Sequence, residues 1–210
     1  MIDTDFLSMP VKNTAILMRH ADREHIISGV NDHEPINEAG RANSVRLGER
    51  FSLFFDSVKV FASPIDRCIQ TGEAIIAGLQ KNGTVSQSNM LGEPGPFVLD
   101  KDLALEVFRE LGCIRVVESQ IAGDVLPGVK SVADGSEQLK NFIVSEMRTN
   151  DSGNLLLFIT HDAIVAPFVH HYTGEMFDKS HWLGFSDGVA FVEEDDGIQL
   201  YRNGKKYAIR

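Results

Sequence analysis

The chain has 210 residues, of which 43% are hydrophobic and 24% are charged. This composition supports a folded hydrophobic core and argues against a disordered chain, and the length predicts one domain over residues 1–210. The formal net charge of −10 would repel nucleic acid and anionic membranes, so neither is expected as a partner. A small anionic substrate would therefore need a local cluster of arginines.

The chain has only two cysteines, Cys68 and Cys113, which are too few for a disulfide framework. Its N-terminal residues lack the basic start and the apolar run of a signal peptide, and no apolar stretch is long enough to span a membrane. We therefore expect a cytoplasmic protein whose two thiols are free.

The first half of the chain alternates apolar strands with helices. A buried strand over 14–18 precedes a predicted helix over 37–55, whose first residue, an asparagine, would be its N-cap. A second strand over 58–62 leads to Ser63, the predicted N-cap of a helix that runs to about Leu79. This order is typical of strand–helix units in a parallel sheet.

The second half begins with a segment over 80–135 that is richer in Gly, Pro, Ser and Asn. We predict a partly helical insertion there, above the sheet edge, with a helix over 101–111. A third buried strand over 155–160 leads to an apolar helix over 163–172, and three short C-terminal segments are typical of an antiparallel meander. Together these elements predict a three-layer α/β/α fold with a mostly parallel sheet, helices on both faces and an antiparallel C-terminal edge.

Polar side chains follow each of the three buried strands at its carboxyl end. They are Arg19, His20 and Arg23 after the first strand, Arg67 after the second, and His161 and Asp162 after the third. Open α/β sheets bind their ligands at this end of the strands, so we expect these side chains to share one crevice.

The residue types in this crevice favour a phosphate ligand. Guanidinium groups bind phosphate oxygens in pairs and stay charged at any working pH. Their positive field would disfavour protonation of His20 and leave a ring nitrogen free for attack. Each short motif alone is more typical of a solvated turn, a surface arginine or a buried structural histidine. Their recurrence at three strand ends is what indicates a site.

The order RHxxR, ASPxxRCxQT and THD along this chain resembles the histidine phosphatase superfamily, also called the phosphoglycerate mutase-like fold. The resemblance covers most of the α/β framework, although no motif aligns within 80–135. It implies that His20 is the nucleophile that forms a phosphohistidine, and that Arg19, Arg67 and His161 line the phosphate pocket. The activity it implies is hydrolysis of a phosphomonoester without a metal or another cofactor.

The resemblance leaves two sources for the general acid. Arg23 and Asp162 resemble the acid phosphatase and phytase branch, which implies Asp162 as the acid and base. The mutase branch takes its acid from a glutamate in the inserted region. The candidates there are Glu93, Glu106 and Glu110. Nearby arginines and a helix N-terminus favour the ionised form of Asp162, whereas an acid needs a proton. Ala21 also departs from the glycine that usually follows the nucleophile.

Three functions remain open from the sequence. The first is a phosphomonoesterase that acts on a small phosphorylated substrate or a phosphoprotein. The second is a phosphomutase with the same phosphohistidine, and the third is a catalytically silent protein that binds a phosphorylated ligand. The sequence does not indicate the oligomeric state.

Three other signals do not change this interpretation. Residues 123–131 resemble a phosphate loop, but Val129 separates the glycine from the lysine and we predict no helix directly after it. His170 and His171 lie too far along a helix from His161 to share a metal site with it, so no metal is predicted. The segment that contains His181 and Trp182 could stack on or gate a substrate, but a tryptophan is more often core.

Overall fold

The helices and strands follow the alternating order that the apolar pattern predicts. The computed structural model describes residues 2, 13–24, 34–150 and 153–209. Its strands are β1 (Thr14–Arg19), β2 (Ser57–Ala62), β3 (Asn82–Gln87), β4 (Asn154–Thr160), β5 (Gly188–Glu194), β6 (Gly197–Arg202) and β7 (Lys205–Ala208). Its helices are α1 (Glu38–Phe51), α2 (Asp66–Leu79), α3 (Lys101–Leu111), α4 (Cys113–Ala122), α5 (Val132–Arg148) and α6 (Asp162–Thr173).

The strands form one seven-stranded sheet in the order β3-β2-β4-β1-β5-β6-β7. The first four strands along the chain run parallel to one another, and β5, β6 and β7 continue the sheet as an antiparallel meander. The predicted fold class is confirmed, including the antiparallel C-terminal edge. Within the described ranges, no helix has the length and apolar character needed to cross a membrane.

Two apolar cores cover the two faces of the sheet. Ala15 and Leu17 of β1 pack into the core on the side of α5 and α6, whereas Ile16 and Met18 pack into the core on the side of α1 and α2. A strand between two helical layers must be apolar on both faces, which is why residues 15–18 form a continuous apolar run.

The register of the three central strands brings their carboxyl ends to one level. Arg19 pairs with Thr160 across β1 and β4, and Ala62 pairs with Ile159 across β2 and β4. The backbone N–H of His20 then donates to the carbonyl of Thr160 at 2.9 Å. The first residues beyond these strands therefore leave the sheet side by side.

Two predicted helix boundaries are wrong. The helix predicted over 37–55 begins at Glu38 and has Asn37 as its N-cap, but it ends at Phe51. The second helix begins at Asp66, and Ile65, not Ser63, is its N-cap. Ser63 continues the strand pairing, because its backbone N–H donates to Ile159 of β4 at 2.9 Å.

The segment over 80–135 departs from the prediction at both of its ends. Residues Asn82–Gln87 belong to the sheet itself, as the edge strand β3 beside β2, and do not lie above the sheet edge. The helix predicted over 101–111 is confirmed as α3. The expectation that no helix follows residues 123–131 is wrong, because α5 begins at Val132 with Ser131 as its N-cap.

Candidate active site

His20 is held as a neutral ring whose Nε2 is unprotonated. Its side chain is buried, and its Nδ1 lies 2.8 Å from the carbonyl oxygen of Ala21. Since a carbonyl only accepts, this contact assigns the ring proton to Nδ1 and the lone pair to Nε2. Burial lowers the pKa of His20 well below its ordinary value, and the nearby His161, Arg67 and Arg19 lower it further. Ala21 does not need the positive φ that would require glycine.

Arg67 lies between the two histidines. Its Nε donates to Nε2 of His20 at 3.1 Å, and its Nη2 lies 3.2 Å from Nδ1 of His161. Its Nη1 is buried and has no hydrogen-bond partner among the described residues. A buried N–H without a partner is costly unless a ligand satisfies it, so Arg67 offers a donor to an anion.

His161 is a second neutral ring beside His20, with 5.5 Å between the ring centroids. Its Nδ1 faces the guanidinium of Arg67, which only donates, so its Nε2 carries the proton and donates to Oγ of Ser63 at 3.0 Å. Burial and the positive charge of Arg67 lower the pKa of His161 to about 3. Burial also raises the pKa of the adjacent Cys68 thiol to about 12, so this cysteine stays protonated.

Arg19 and Asp162 form a largely buried ion pair that interacts electrostatically with His20. Nη2 of Arg19 lies 2.7 Å from Oδ2 of Asp162, and Nε of Arg19 has no partner within the described part of the chain. Oδ2 of Asp162 also accepts from Trp182 Nε1 at 3.0 Å. Oδ1 accepts from the backbone N–H of Ala163 at 3.0 Å and from Cys113 Sγ at 3.6 Å. The carboxylate thus receives four donors.

The pKa of Asp162 reflects two opposing effects. Burial alone would raise it, but the ion pair with Arg19 and the hydrogen bond from Trp182 outweigh burial and bring the pKa below its ordinary value. The carboxylate of Asp162 is therefore ionised before a ligand binds, although a general acid needs a proton.

Arg23 is the third guanidinium of the pocket, and it pairs with Glu34, a buried carboxylate. A short antiparallel bridge joins Arg23 to Ile36 and brings Glu34 alongside. Nε of Arg23 is also buried without a partner in the described chain. No sequence motif pointed to Glu34, because it lies in a polar stretch with no periodic pattern.

The three reserve glutamates lie in different surroundings. Glu106 and Glu110 are exposed on α3, and no contact joins either of them to the residues of the pocket described above. Glu93 forms an ion pair with Lys101 at 2.8 Å, and it directly follows Gly92, which touches the pocket. Of the three, only Glu93 is therefore adjacent to the site along the chain.

Gly92 packs its α-carbon against the pocket wall. Its φ is +146°, and a Cβ added there would lie 2.5 Å from Oγ of Ser63 and 3.2 Å from Nε2 of His161.

We expect Gly92→Ala to lower stability by about 1–3 kcal/mol and kcat/KM by about tenfold, because the methyl group would strain the backbone and displace both side chains. Thermal melting and steady-state kinetics check this. Gly112→Ala, where φ is +77°, ψ is 156° and a Cβ meets nothing within 4 Å, controls for the backbone effect alone.

The pocket also contains residues that the sequence did not assign to it. Trp182 and Cys113 approach Asp162, and the ring of Phe185 lies 4.1 Å from the guanidinium carbon of Arg19. Trp182 was noticed only as a residue of a possible gating loop. None of these three follows a strand in a motif, so spacing along the chain could not place them.

Solved structures with the same fold include several phosphatases. A mutant of the phosphoserine phosphatase from Entamoeba histolytica in complex with phosphoserine matches with a TM-score of 0.57 and 17% identity, covering 89% of this chain and 94% of that chain. The mycobacterial glucosyl-3-phosphoglycerate phosphatase matches with a TM-score of 0.56 and 12% identity, covering 90% and 96%. YhfR from Bacillus stearothermophilus matches with a TM-score of 0.57 and 15% identity, covering 91% and 96%. At these identities, the likeness concerns the fold.

Sequence comparison is more specific about the family. Among curated proteins, no sequence matches this chain significantly. The family model of the histidine phosphatase superfamily, branch 1, matches residues 15–191. That match spans most of the chain, from the first strand of the sheet to β5, and it confirms the prediction of a histidine phosphatase. The chain belongs to the histidine phosphatase superfamily.

Proposed function

We propose that the protein hydrolyses phosphomonoesters by passing the phosphoryl group through Nε2 of His20 to water. One observation carries the proposal: Arg19, Arg23 and Arg67 each keep a buried guanidinium N–H with no partner in the described chain. These arginines act electrostatically on one another and on the histidines of the pocket. A phosphate group would satisfy such donors, and it matches guanidinium groups in both charge and geometry.

The first half of the reaction forms a phosphohistidine. The lone pair of His20 Nε2 attacks the phosphorus, the new N–P bond forms, and the ester P–O bond breaks with its electron pair moving to the leaving oxygen. That oxygen takes a proton from the general acid. The ring becomes positively charged, and the carbonyl of Ala21, which accepts from Nδ1, stabilises this charge.

The second half regenerates the enzyme. Water attacks the phosphorus, the N–P bond breaks, and its electron pair returns to Nε2 of His20. The conjugate base of the general acid takes the proton of the water, which restores the starting state. The arginines neutralise the equatorial oxygens in both halves, so the proposed steps need no metal ion.

We propose Asp162 as the general acid and base, with Glu93 as the alternative. Asp162 interacts electrostatically with His20, which supports this role, but its contacts with Arg19 and Trp182 also hold it ionised. The negative charge of a bound phosphate dianion would raise the pKa of Asp162, which would allow it to carry a proton. Glu93 is half-exposed, and its partner Lys101 lies on the surface.

The two acids can be separated by the leaving group of the substrate. A general acid contributes about 10²–10⁴-fold to expulsion of an alkoxide and much less to expulsion of nitrophenolate, which needs no proton. We expect Asp162→Asn to lower kcat/KM far more for an alkyl phosphate than for p-nitrophenyl phosphate. Glu93→Gln serves as the matched variant. If Glu93→Gln shows the leaving-group dependence and Asp162→Asn lowers both substrates equally, then Glu93 is the acid and Asp162 orients Arg19.

Release of inorganic phosphate tests the proposed function as a whole. Phosphoserine and glucosyl-3-phosphoglycerate are the first substrates to test, because proteins of the same fold are named for them. Phosphorylated metabolites, sugars, nucleotides and phosphopeptides complete the panel. Tight phosphate binding with no release from any ester would overturn hydrolysis and leave a silent binding protein.

A further inference from the structure

The segment between α6 and β5 contacts the guanidinium of Arg19 at two points. The carbonyl of Leu183 accepts from Nη1 of Arg19 at 2.6 Å, and the ring of Phe185 lies 4.1 Å from its guanidinium carbon. Trp182 reaches the same group through Asp162, since its Nε1 donates to the oxygen that pairs with Nη2 of Arg19. We call Trp182, Leu183 and Phe185 the arginine clamp.

The chain around the clamp is fastened by a second buried arginine. Arg202 of β6 pairs with Glu175 at 2.7 Å and with Asp187 at 2.8 Å, and its side chain is only 4% exposed. Glu175 and Asp187 lie near the two ends of the segment that contains the clamp. The backbone N–H of Arg19 also donates to the carbonyl of Asp187 at 2.9 Å. The clamp is therefore tied to the sheet on both sides.

We propose that Trp182 and Phe185 are positioning residues for Arg19, holding its guanidinium in place before phosphate binds. The inference rests on the proposed function, because it concerns how a phosphate-binding arginine of that site is held. A free arginine side chain loses much rotamer freedom when a ligand fixes it. Because the clamp fixes the side chain of Arg19 during folding, less rotamer entropy is lost when phosphate binds.

The geometry argues for positioning beyond simple packing. The Trp182 indole gives its one N–H to a carboxylate that is already paired with Arg19, and a hydrogen bond to a charged group is stronger than one between neutral groups. The Phe185 ring faces the guanidinium, where a cation is attracted to the aromatic face. It also lies 5.8 Å, centroid to centroid, from the ring of His20. Both aromatic residues thus act on charged groups of the pocket.

Two substitutions test the clamp through the affinity for inorganic phosphate. Trp182→Phe removes the N–H but keeps an aromatic ring, and we expect it to weaken phosphate binding about tenfold. Phe185→Leu keeps apolar volume but removes the aromatic face, and we expect a loss of about fivefold. Calorimetric titration with phosphate measures both, and kcat/KM should fall in parallel. Met176→Ala, at a residue 62% exposed in the same segment, is the control.

A double-mutant cycle separates positioning from packing. In an Asp162→Ala background, the indole has lost its acceptor, so Trp182→Phe should weaken phosphate binding by less than about twofold further. If Trp182 only fills space, the losses of phosphate affinity in the two single variants should multiply in the double variant. That outcome would contradict a positioning role for Trp182. Wild-type phosphate affinity in folded Trp182→Phe and Phe185→Leu variants would overturn the whole proposal.

Fluorescence gives a readout that does not depend on activity, because Trp182 is the only tryptophan of the chain. Protonation of Asp162 changes the acceptor of the indole, so the emission should titrate with this carboxyl group. Arg19 lowers the pKa of Asp162, so the midpoint should move to higher pH in Arg19→Ala. An emission titration that Arg19→Ala leaves unchanged contradicts the coupling.

These measurements keep the two proposals apart. If the wild-type protein releases no phosphate from any ester, the proposed function fails, while phosphate affinity and emission still test the clamp. If esters are hydrolysed but the clamp variants bind phosphate as the wild type does, only the clamp fails. If Trp182→Phe does not fold, the phosphate affinity of Phe185→Leu and the emission of the wild-type protein still test whether the clamp positions Arg19.

Discussion

Replacing His20 by alanine should lower phosphate release by about 10⁴-fold or more, because the proposed reaction loses its nucleophile. A radiolabelled phosphomonoester should also label the wild-type protein through a bond that acid cleaves and base does not, as expected for a phosphohistidine. The labelling should disappear in His20→Ala. Phosphate should still bind to this variant, since Arg19, Arg23 and Arg67 remain.

His161→Ala is the matched control for this experiment. It removes the other imidazole of the pocket but leaves His20, so some labelled protein should still form. Full activity in His20→Ala, or label that persists there and vanishes in His161→Ala, would contradict the assigned nucleophile. Release of phosphate to water in the wild-type protein, with no transfer to a second alcohol, separates the hydrolase from a mutase.

Arg67→Ala should lower kcat/KM by about 10³-fold, the second largest effect that we expect. The variant loses both a charge aimed at the phosphate and the fork that lies between His20 and His161. Arg67→Lys should recover only part of the activity, because an ammonium group cannot contact both rings in this way. Steady-state kinetics with one alkyl phosphate measures the series.

The same variant has a distinct effect on pH dependence. The charge of Arg67 lowers the pKa of both histidines, so its removal should raise both pKa values. Activity depends on neutral His20 and is lost when this ring is protonated. The acidic limb of the pH profile should therefore lie at a higher pH in Arg67→Ala than in the wild-type protein. Arg46→Ala, on the exposed side of α1, is the control. A loss below tenfold in Arg67→Ala, with an unchanged pH profile, would mean that this arginine does not contact the phosphate.

The central strands and the residues at their ends could be predicted because burial on both faces leaves a plain signal. Residues 15–18 and 155–159 are apolar without interruption, and Arg19, His20 and His161 follow soon after each apolar run stops. Parallel strands end at one edge, so their convergence follows from the order of elements alone. The structure places these side chains together, while their catalytic roles stay predictions.

The edge strand β3 was missed for the opposite reason. Its sequence, NGTVSQ, is mostly exposed and has one apolar residue, because only one side of the strand has a neighbour and few of its side chains are covered. A polar edge strand protects against unwanted pairing, and it also removes the pattern by which strands are recognised. Helix α5 did carry a signal: Leu139, Ile143 and Met147 are spaced four apart and buried.

The surroundings of Asp162 could not be predicted by any local rule. Trp182 and Cys113 reach it from different elements, one after α6 and one at the start of α4. Ser63 shows the same limit, since the sequence suggested an N-cap and the structure uses its hydroxyl to hold His161. Side-chain partners brought together by tertiary packing depend on distances that periodicity does not contain.

The position of β4 in the sheet has a consequence for how the protein is made. It lies between β2 and β1, although it comes after both of them in the chain. His20 and Arg67 are therefore synthesised well before β4, the strand that separates β1 from β2 and is followed by His161. A nascent or truncated chain that ends at α5 carries His20, the proposed nucleophile, and Arg19, Arg23 and Arg67, but it lacks the central strand that would align them. Assembly of the pocket is thus coupled to the insertion of β4 between β2 and β1, a long-range step that a chain ending at α5 cannot complete.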